Sequence, residues 1–332
     1  MGPGSSTDAE YRALVCITSC ERPDYLRRYL PHFARFCTND RRFSLLVALD
    51  GDDAETRRFC EEWQVPLIHS QEREGVGLSK NRALERFPDF DRYFFVEDDV
   101  ELLDGSVFPL HVELAQASGI HHFSLFARHR VSEYDQHSSV AGHRVAHGLY
   151  GSASFNFFTA EGLRKVGGWH PRFAEYRRWG HTEHSYRFYR AGLAPAPFNV
   201  IEDLTETCIW HVPPAVTRPG LLPADADEIV APERQLIDEE LVHVPLRTIS
   251  PYSFNDIPFG KLERLAATLD GGERYPLVGD RERRRCRSDY RLWQFRSGTS
   301  VPRRGTALLA AAWYWPGNPM LRHTVKRALG RV

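Results

Sequence analysis

The chain has 332 residues, 42% of them hydrophobic and 26% charged, with a formal net charge of −1. That length accommodates one large α/β domain or a domain with an appendage, and the composition is that of a globular protein. The balanced charge argues against a general nucleic-acid-binding surface, and no apolar run reaches the ~20 residues needed to span a bilayer.

Residues 1–10 read as a flexible leader, and the first buried strand covers Ala13 to Thr18. Arg22-Pro23-Asp24 breaks it and opens a helix from Tyr25 to Phe36. A second strand, Phe43 to Leu49, runs into Asp50-Gly51-Asp52-Asp53; a helix follows through Glu55 to Trp63, then a short strand from Val65 to His69. Leu78 to Phe87 is helical, and Tyr93-Phe94-Phe95-Val96 is a fourth apolar strand ending in Glu97-Asp98-Asp99. Strands alternating with helices imply right-handed β-α-β units and a mostly parallel sheet, with the ligand beyond the carboxyl ends of the strands. From Pro213 the chain becomes loop-rich. The expected division is a catalytic domain over 11–215 and a C-terminal extension over 216–332.

Thirteen Lys/Arg against two acids between Arg281 and Val332 make the end of that extension basic. With Trp313, Tyr314 and Trp315 it has the character of a peripheral membrane contact. The six cysteines contain no C-x-x-C pair, which fits a reducing cytoplasm and argues against a zinc site of that kind.

Four segments carry candidate chemistry. Three adjacent acids at a strand end, Glu97, Asp98 and Asp99, offer hard oxygen ligands for Mn²⁺ or Mg²⁺, and a divalent ion there would neutralise a departing diphosphate. His211, in Cys208-Ile209-Trp210-His211, is a candidate imidazole ligand and would favour Mn²⁺. Glu183 and His184, before a helix expected from Ser185 to Arg190, are candidate proton acceptors. Gly75-Val76-Gly77 precedes Lys80 and Arg82, two cations that could face phosphates, although the order of a P-loop is missing. Arg22 and Thr18 at the first strand's end and Asp50 at the second's complete the expected nucleotide-sugar contacts. His129, His137, His143 and His147 read as scattered surface histidines.

In this order the motifs resemble those of GT-A-fold glycosyltransferases. The chain is similar to family 2 and, more closely, to the N-acetylglucosaminyltransferase I family, from about Ala13 to His211. Leu49-Asp50-Gly51-Asp52-Asp53 resembles the loop whose aspartate reads uracil. Val96-Glu97-Asp98-Asp99-Val100 resembles the Glu-Asp-Asp form of the DxD motif, whose last acid, here Asp99, binds Mn²⁺. Trp179-Gly180-His181-Thr182-Glu183-His184 is similar to a Trp-Gly…Glu-Asp motif, but His184 stands where the relatives place the catalytic aspartate. The resemblance implies inverting transfer from a UDP-sugar to a hydroxyl of a glycan, glycolipid or small molecule. A sugar-phosphate nucleotidyltransferase would share the carboxylates and the metal but carry a Gly-rich basic first loop, which Ser19-Cys20-Glu21-Arg22-Pro23 lacks. A non-catalytic sugar-binding protein is the reading that the His184 departure supports.

Overall fold

In the computed structural model, residues 11–125, 134–149, 151–176, 179–204, 208–210, 237, 239–269, 309, 312 and 313 are described. Ala13–Ser19 forms β1, and all seven of its side chains are buried, as a continuous apolar strand covered on both faces requires. Helix α1 spans Pro23–Asn39, opening on a proline in its first turn, where a missing N–H costs nothing. Strand β2 is Phe43–Leu49 and helix α2 is Ala54–Glu62; Asp53 caps α2 by accepting from the Glu55 and Thr56 amides at 3.1 and 3.3 Å. Strand β3 (Leu67–Ser70), helix α3 (Val76–Arg86) and strand β4 (Arg92–Glu97) follow, each within a few residues of its expected span.

Beyond the acidic triplet come β5 (Val100–Leu102), α4 (Val107–Ser118), β6 (His122–Ser124), β7 (Tyr134–Val140), β8 (His143–Gly148) and β9 (Phe155–Thr159). Helices α5 (Ala160–Val166), α6 (Pro171–Tyr176) and α7 (Gly180–Arg190) lead to β10 (Phe198–Ile201), a 3-10 turn at Glu202–Leu204, and β11 (Cys208–Trp210). Strand β12 (Tyr252–Phe254) and helix α8 (Glu263–Ala267) come last among the described elements.

The main sheet has seven strands in the order β12-β3-β2-β1-β4-β9-β6. Its centre, β3-β2-β1-β4, is parallel, and β9, β6 and β12 add antiparallel flanks. This is the expected α/β fold: a largely parallel sheet between helices. The register pairs Ser19 with Leu49 and Thr18 with Glu97, so the carboxyl ends of β2, β1 and β4 stand side by side. Phe94 anchors the core between sheet and α4, with ring centroids 4.9 Å from both Phe108 and Phe157.

Two smaller sheets, β10-β8-β7 and β11-β5, form separately, and Asn199 of β10 donates to His122 O of β6 in the main sheet at 3.2 Å. Part of the chain beyond position 216 packs on the main sheet. Strand β12, well inside the expected extension, pairs antiparallel with β3, and Leu262, Leu265 and Ala266 join the main core, where the Ala266 carbonyl accepts from Arg35 at 3.3 Å. Among the described residues no helix is long and apolar enough to cross a membrane. Of the aromatic residues expected at a membrane surface, Trp313 is described and exposed; Tyr314, Trp315 and the basic residues after them lie outside the described residues.

Candidate active site

At the adjoining ends of β1 and β4 the polar residues close on one another. Asp98 is buried; its Oδ2 accepts from Ser19 Oγ at 2.6 Å and its Oδ1 pairs with Arg22 Nη2. Arg22 Nη1 donates to Asp99 Oδ2 at 3.2 Å, so one guanidinium bridges both carboxylates. The chain reaches Arg22 through Glu21, whose φ of 50° lies in the left-handed region, where only a tight turn holds a non-glycine residue. Thr18 supports the corner from below: its carbonyl accepts from the Asp98 amide at 3.1 Å and its hydroxyl donates to Val96 O at 3.3 Å. Glu97 is half-buried, and its amide donates to Ser154 O at 2.8 Å.

Three acids face one arginine here, and burial makes the imbalance costly. It pushes the Asp98 carboxyl up to about 7, against the opposing pull of Arg22. Asp99 is driven well above the usual carboxylate range, first by burial and then by the charges of Glu97 and Asp98. Among the described residues, buried Asp99 Oδ1 has no hydrogen-bond partner. These features fit a divalent cation: hard oxygen donors, surplus negative charge and an unmet lone pair at Asp99. Among the described residues no three His, Cys, Asp or Glu side chains form a ready-made metal cage. An ion carried with a nucleotide needs only one or two protein carboxylates, the remaining ligands being phosphate and water.

Asp50 sits at the end of β2, nearly buried. Its Oδ1 accepts from the amides of Glu74 and Gly75 at 2.8 and 2.9 Å, and its Oδ2 also meets the Gly75 amide at 2.9 Å. The carboxylate therefore ties down the loop before α3, where Gly75 has a φ of 97° that a side chain would strain. Arg82 was expected at the phosphates; the structure places it inside instead. It pairs with Glu74, donates to Ser79 Oγ at 2.8 Å, and lies 3.8 Å from Asp50. Lys80 is likewise buried, its Nζ 5.1 Å from the centre of the Trp169 ring and 5.9 Å from that of Phe95. Burial lowers its pKa, partly offset by the Glu97 charge.

Glu183 and His184 also need correction. Helix α7 begins at Gly180, five residues earlier than expected, so both lie inside its first turns and point into the core. Glu183 holds Arg187 through both oxygens, at 2.7 and 2.9 Å, and Arg187 also donates to Val166 O and to Gly168 O (2.6 Å). Both oxygens are committed to Arg187 and the carboxylate is fully buried, so it is not presented to an acceptor hydroxyl. His184 stacks on Trp169 at 4.1 Å and donates from Nε2 to Gly167 O at 3.0 Å. Among the described residues the buried Nδ1 finds no partner, and burial holds the imidazole well below its usual pKa. Neither residue is open to solvent.

His211 lies outside the described residues, as does His129. The residue before His211, Trp210, pairs with Val100, the residue after Asp99. The other three histidines are structured within the small sheet: His137 meets Glu202 at 2.8 Å, His143 meets Asp203 at 2.7 Å, and His147 meets Asn199 and Ser138, each at 2.8 Å.

Three participants escaped the sequence reading. Ser19 carried no signal beyond its place at a strand end. Arg187 could have been found from charge spacing, since Glu183 and Arg187 stand one helical turn apart; Glu74, before α3 and eight residues from Arg82, gave no such signal.

No protein-family model matches this chain, and no curated protein sequence matches it. Among solved structures, S. aureus TarS 1-349 in complex with UDP superposes with a TM-score of 0.50 at 12% identity, over 96% of this chain and 92% of that one. The mannosyltransferase PcManGT from Pyrobaculum calidifontis, in complex with GDP-Man and Mn²⁺, is 14% identical over 96% of this chain and 74% of its own, with a TM-score of 0.45. Glucosyl-3-phosphoglycerate synthase from Mycobacterium tuberculosis, in complex with Mn²⁺, UDP and glucosyl-3-phosphoglycerate, is 12% identical over 80% and 98%, with a TM-score of 0.44. The likeness to TarS establishes the fold alone: this chain has the α/β architecture of GT-A glycosyltransferase structures.

Proposed function

We propose that this protein is a metal-dependent glycosyltransferase that moves a sugar from a nucleoside-diphosphate sugar, with UDP as the nucleotide, to an acceptor hydroxyl. One observation carries the reading: among the described residues, Asp98 and Asp99, at the carboxyl edge of this fold, share one arginine, and Asp99 Oδ1 has no partner. A buried acidic pair so placed calls for a further cation. The choice of UDP, possession of a DxD motif of the N-acetylglucosaminyltransferase I type, and inversion at the anomeric carbon rest on the motif resemblance.

Asp99 and, beside it, Asp98 would hold the ion, with His211 as a third ligand. Trp210, the residue before it, pairs with Val100, the residue after Asp99. When bound there, Mn²⁺ or Mg²⁺ neutralises charge on the departing diphosphate. Arg22, 16% exposed, is open to a phosphate oxygen. Asp50 shapes the loop against which the base lies, and Glu97, half-buried, is available to a ribose or sugar hydroxyl.

Thermal unfolding with nucleoside diphosphates, with and without Mn²⁺, tests this directly, because a bound ligand stabilises by mass action. UDP with Mn²⁺ should raise the melting temperature of the wild-type chain and leave that of Asp99→Asn unmoved. No shift with any nucleoside diphosphate in Mn²⁺ would falsify the proposal.

A further inference from the structure

The segment 239–255, which follows the loop-rich stretch, is largely exposed along 239–250; Val244 alone there is buried. It nevertheless touches both sides of the candidate site. On one side, Ser250 Oγ donates to Glu74 Oε1, and Glu74 Oε2 accepts from Arg82. Arg82 lies beside Asp50, which accepts from the Glu74 and Gly75 amides. Two residues on, Tyr252 pairs with Ser70, whose hydroxyl meets the Gly51 amide at 3.3 Å and donates to Glu72 O at 2.7 Å. On the other side, the Val244 carbonyl accepts from the Gly168 amide and the Val244 amide donates to Val166 O, both at 3.0 Å. Fully buried Asn81 joins the two sides: its Nδ2 donates to Arg247 O and Trp169 O, both at 2.9 Å, and its Oδ1 accepts from the Trp169 amide at 2.8 Å.

We infer that the 239–255 segment is a strap that positions the donor loop, with Ser250 and Asn81 as positioning residues for nucleotide binding. The inference rests on the proposed function for its ligand, although the mechanical link stands without it. Glu74 is the only acid facing Arg82 besides Asp50 among the described residues. Without the Ser250 bond, Glu74 Oε1 loses a neutral donor while the Arg82 pair persists, so the loop loosens and the fold does not collapse. Asn81 sits deeper, where replacement leaves three backbone groups unpaired, so Ser250 is the better probe.

The test compares the wild-type chain with Ser250→Ala, Ser250→Thr and, as a control on an exposed strap residue, Ile249→Ser. Hydrogen–deuterium exchange reads the link without ligand. The amides of Glu74 and Gly75 should exchange about tenfold faster in Ser250→Ala, return to the wild-type rate in Ser250→Thr, and be unaffected in Ile249→Ser. Calorimetry with UDP and Mn²⁺ reads the consequence, an affinity about five- to tenfold weaker in Ser250→Ala at an unchanged melting temperature. Unchanged exchange at Glu74 and Gly75, or unchanged UDP affinity in Ser250→Ala, overturns the inference. If wild-type protein fails to bind UDP while exchange responds as described, the strap is upheld and the proposed function is what fails.

Discussion

Arg187 grips Glu183 along both edges, Nε to Oε1 at 2.7 Å and Nη2 to Oε2 at 2.9 Å, one turn apart on α7 with neither side chain exposed. Removing one member of such a pair leaves the other charge buried without a counterion, which costs ~3–5 kcal/mol. Glu183→Gln should therefore unfold at markedly lower urea, and Arg187→Met lower still. A Glu183→Gln chain of wild-type stability with lost sugar transfer would instead return Glu183 to the chemistry.

Asp99→Asn has the opposite signature. Its carboxyl is buried beside two others, so replacing it removes repulsion and keeps the contact with Arg22. The variant should melt no lower than wild type in EDTA, yet lose both Mn²⁺ binding and Mn²⁺-dependent UDP binding. Manganese titrated by electron paramagnetic resonance would show the loss; retained affinity would move the ion elsewhere.

Gly167 has a φ of 77°, and a Cβ there would lie 1.7 Å from the Val244 carbonyl oxygen. Gly167→Ala must break the strap's two bonds to Val166 and Gly168 or strain the turn, a loss of about 3 kcal/mol. Urea denaturation should show it. Gly192→Ala is the control, because its φ is also positive, at 68°, but no atom of the described residues lies within 4 Å of its would-be Cβ.

Acid should destabilise the fold through buried histidines. His111 and His122 are held down to about 4 by burial, from an ordinary 6.5, and His184 is lowered as well. These groups are neutral when folded, so the unfolded chain takes up their protons first. Their stabilising effect is complete above pH 6.5 and is lost as pH falls towards 4, on the order of 3 kcal/mol for each of His111 and His122. Asp98 and Asp99, raised when folded, take up protons first in the folded chain and act the other way over this range, so the histidine part is read as a difference between variants. His111→Phe, which stays between aromatic rings, should gain about 3 kcal/mol over wild type between pH 7 and 4.5, measured by urea denaturation at each pH.

What could be read from the chain by itself was local. Buried strands such as Ala13–Ser19 and Phe43–Leu49 announce themselves as unbroken apolar runs, and alternation with helices makes the sheet parallel. From that, Arg22, Asp50 and Glu97–Asp99 fall at one edge, because carboxyl ends of parallel strands align. Partners were another matter, since they come from residues far apart in sequence. Arg22 pairs with acids 76 and 77 positions on; Lys80 and Arg82, cations before assembly, are enclosed by Trp169 and Glu74. Glu183 looked like a free carboxylate until α7, starting at Gly180, turned it inward. Tyr252–Phe254 is too short to mark a strand, and it becomes one only because β3 presents an unpaired edge. Periodicity encodes which face of an element is apolar; which charge meets which, and which is shut away from water, depends on contacts that exist only after the elements pack.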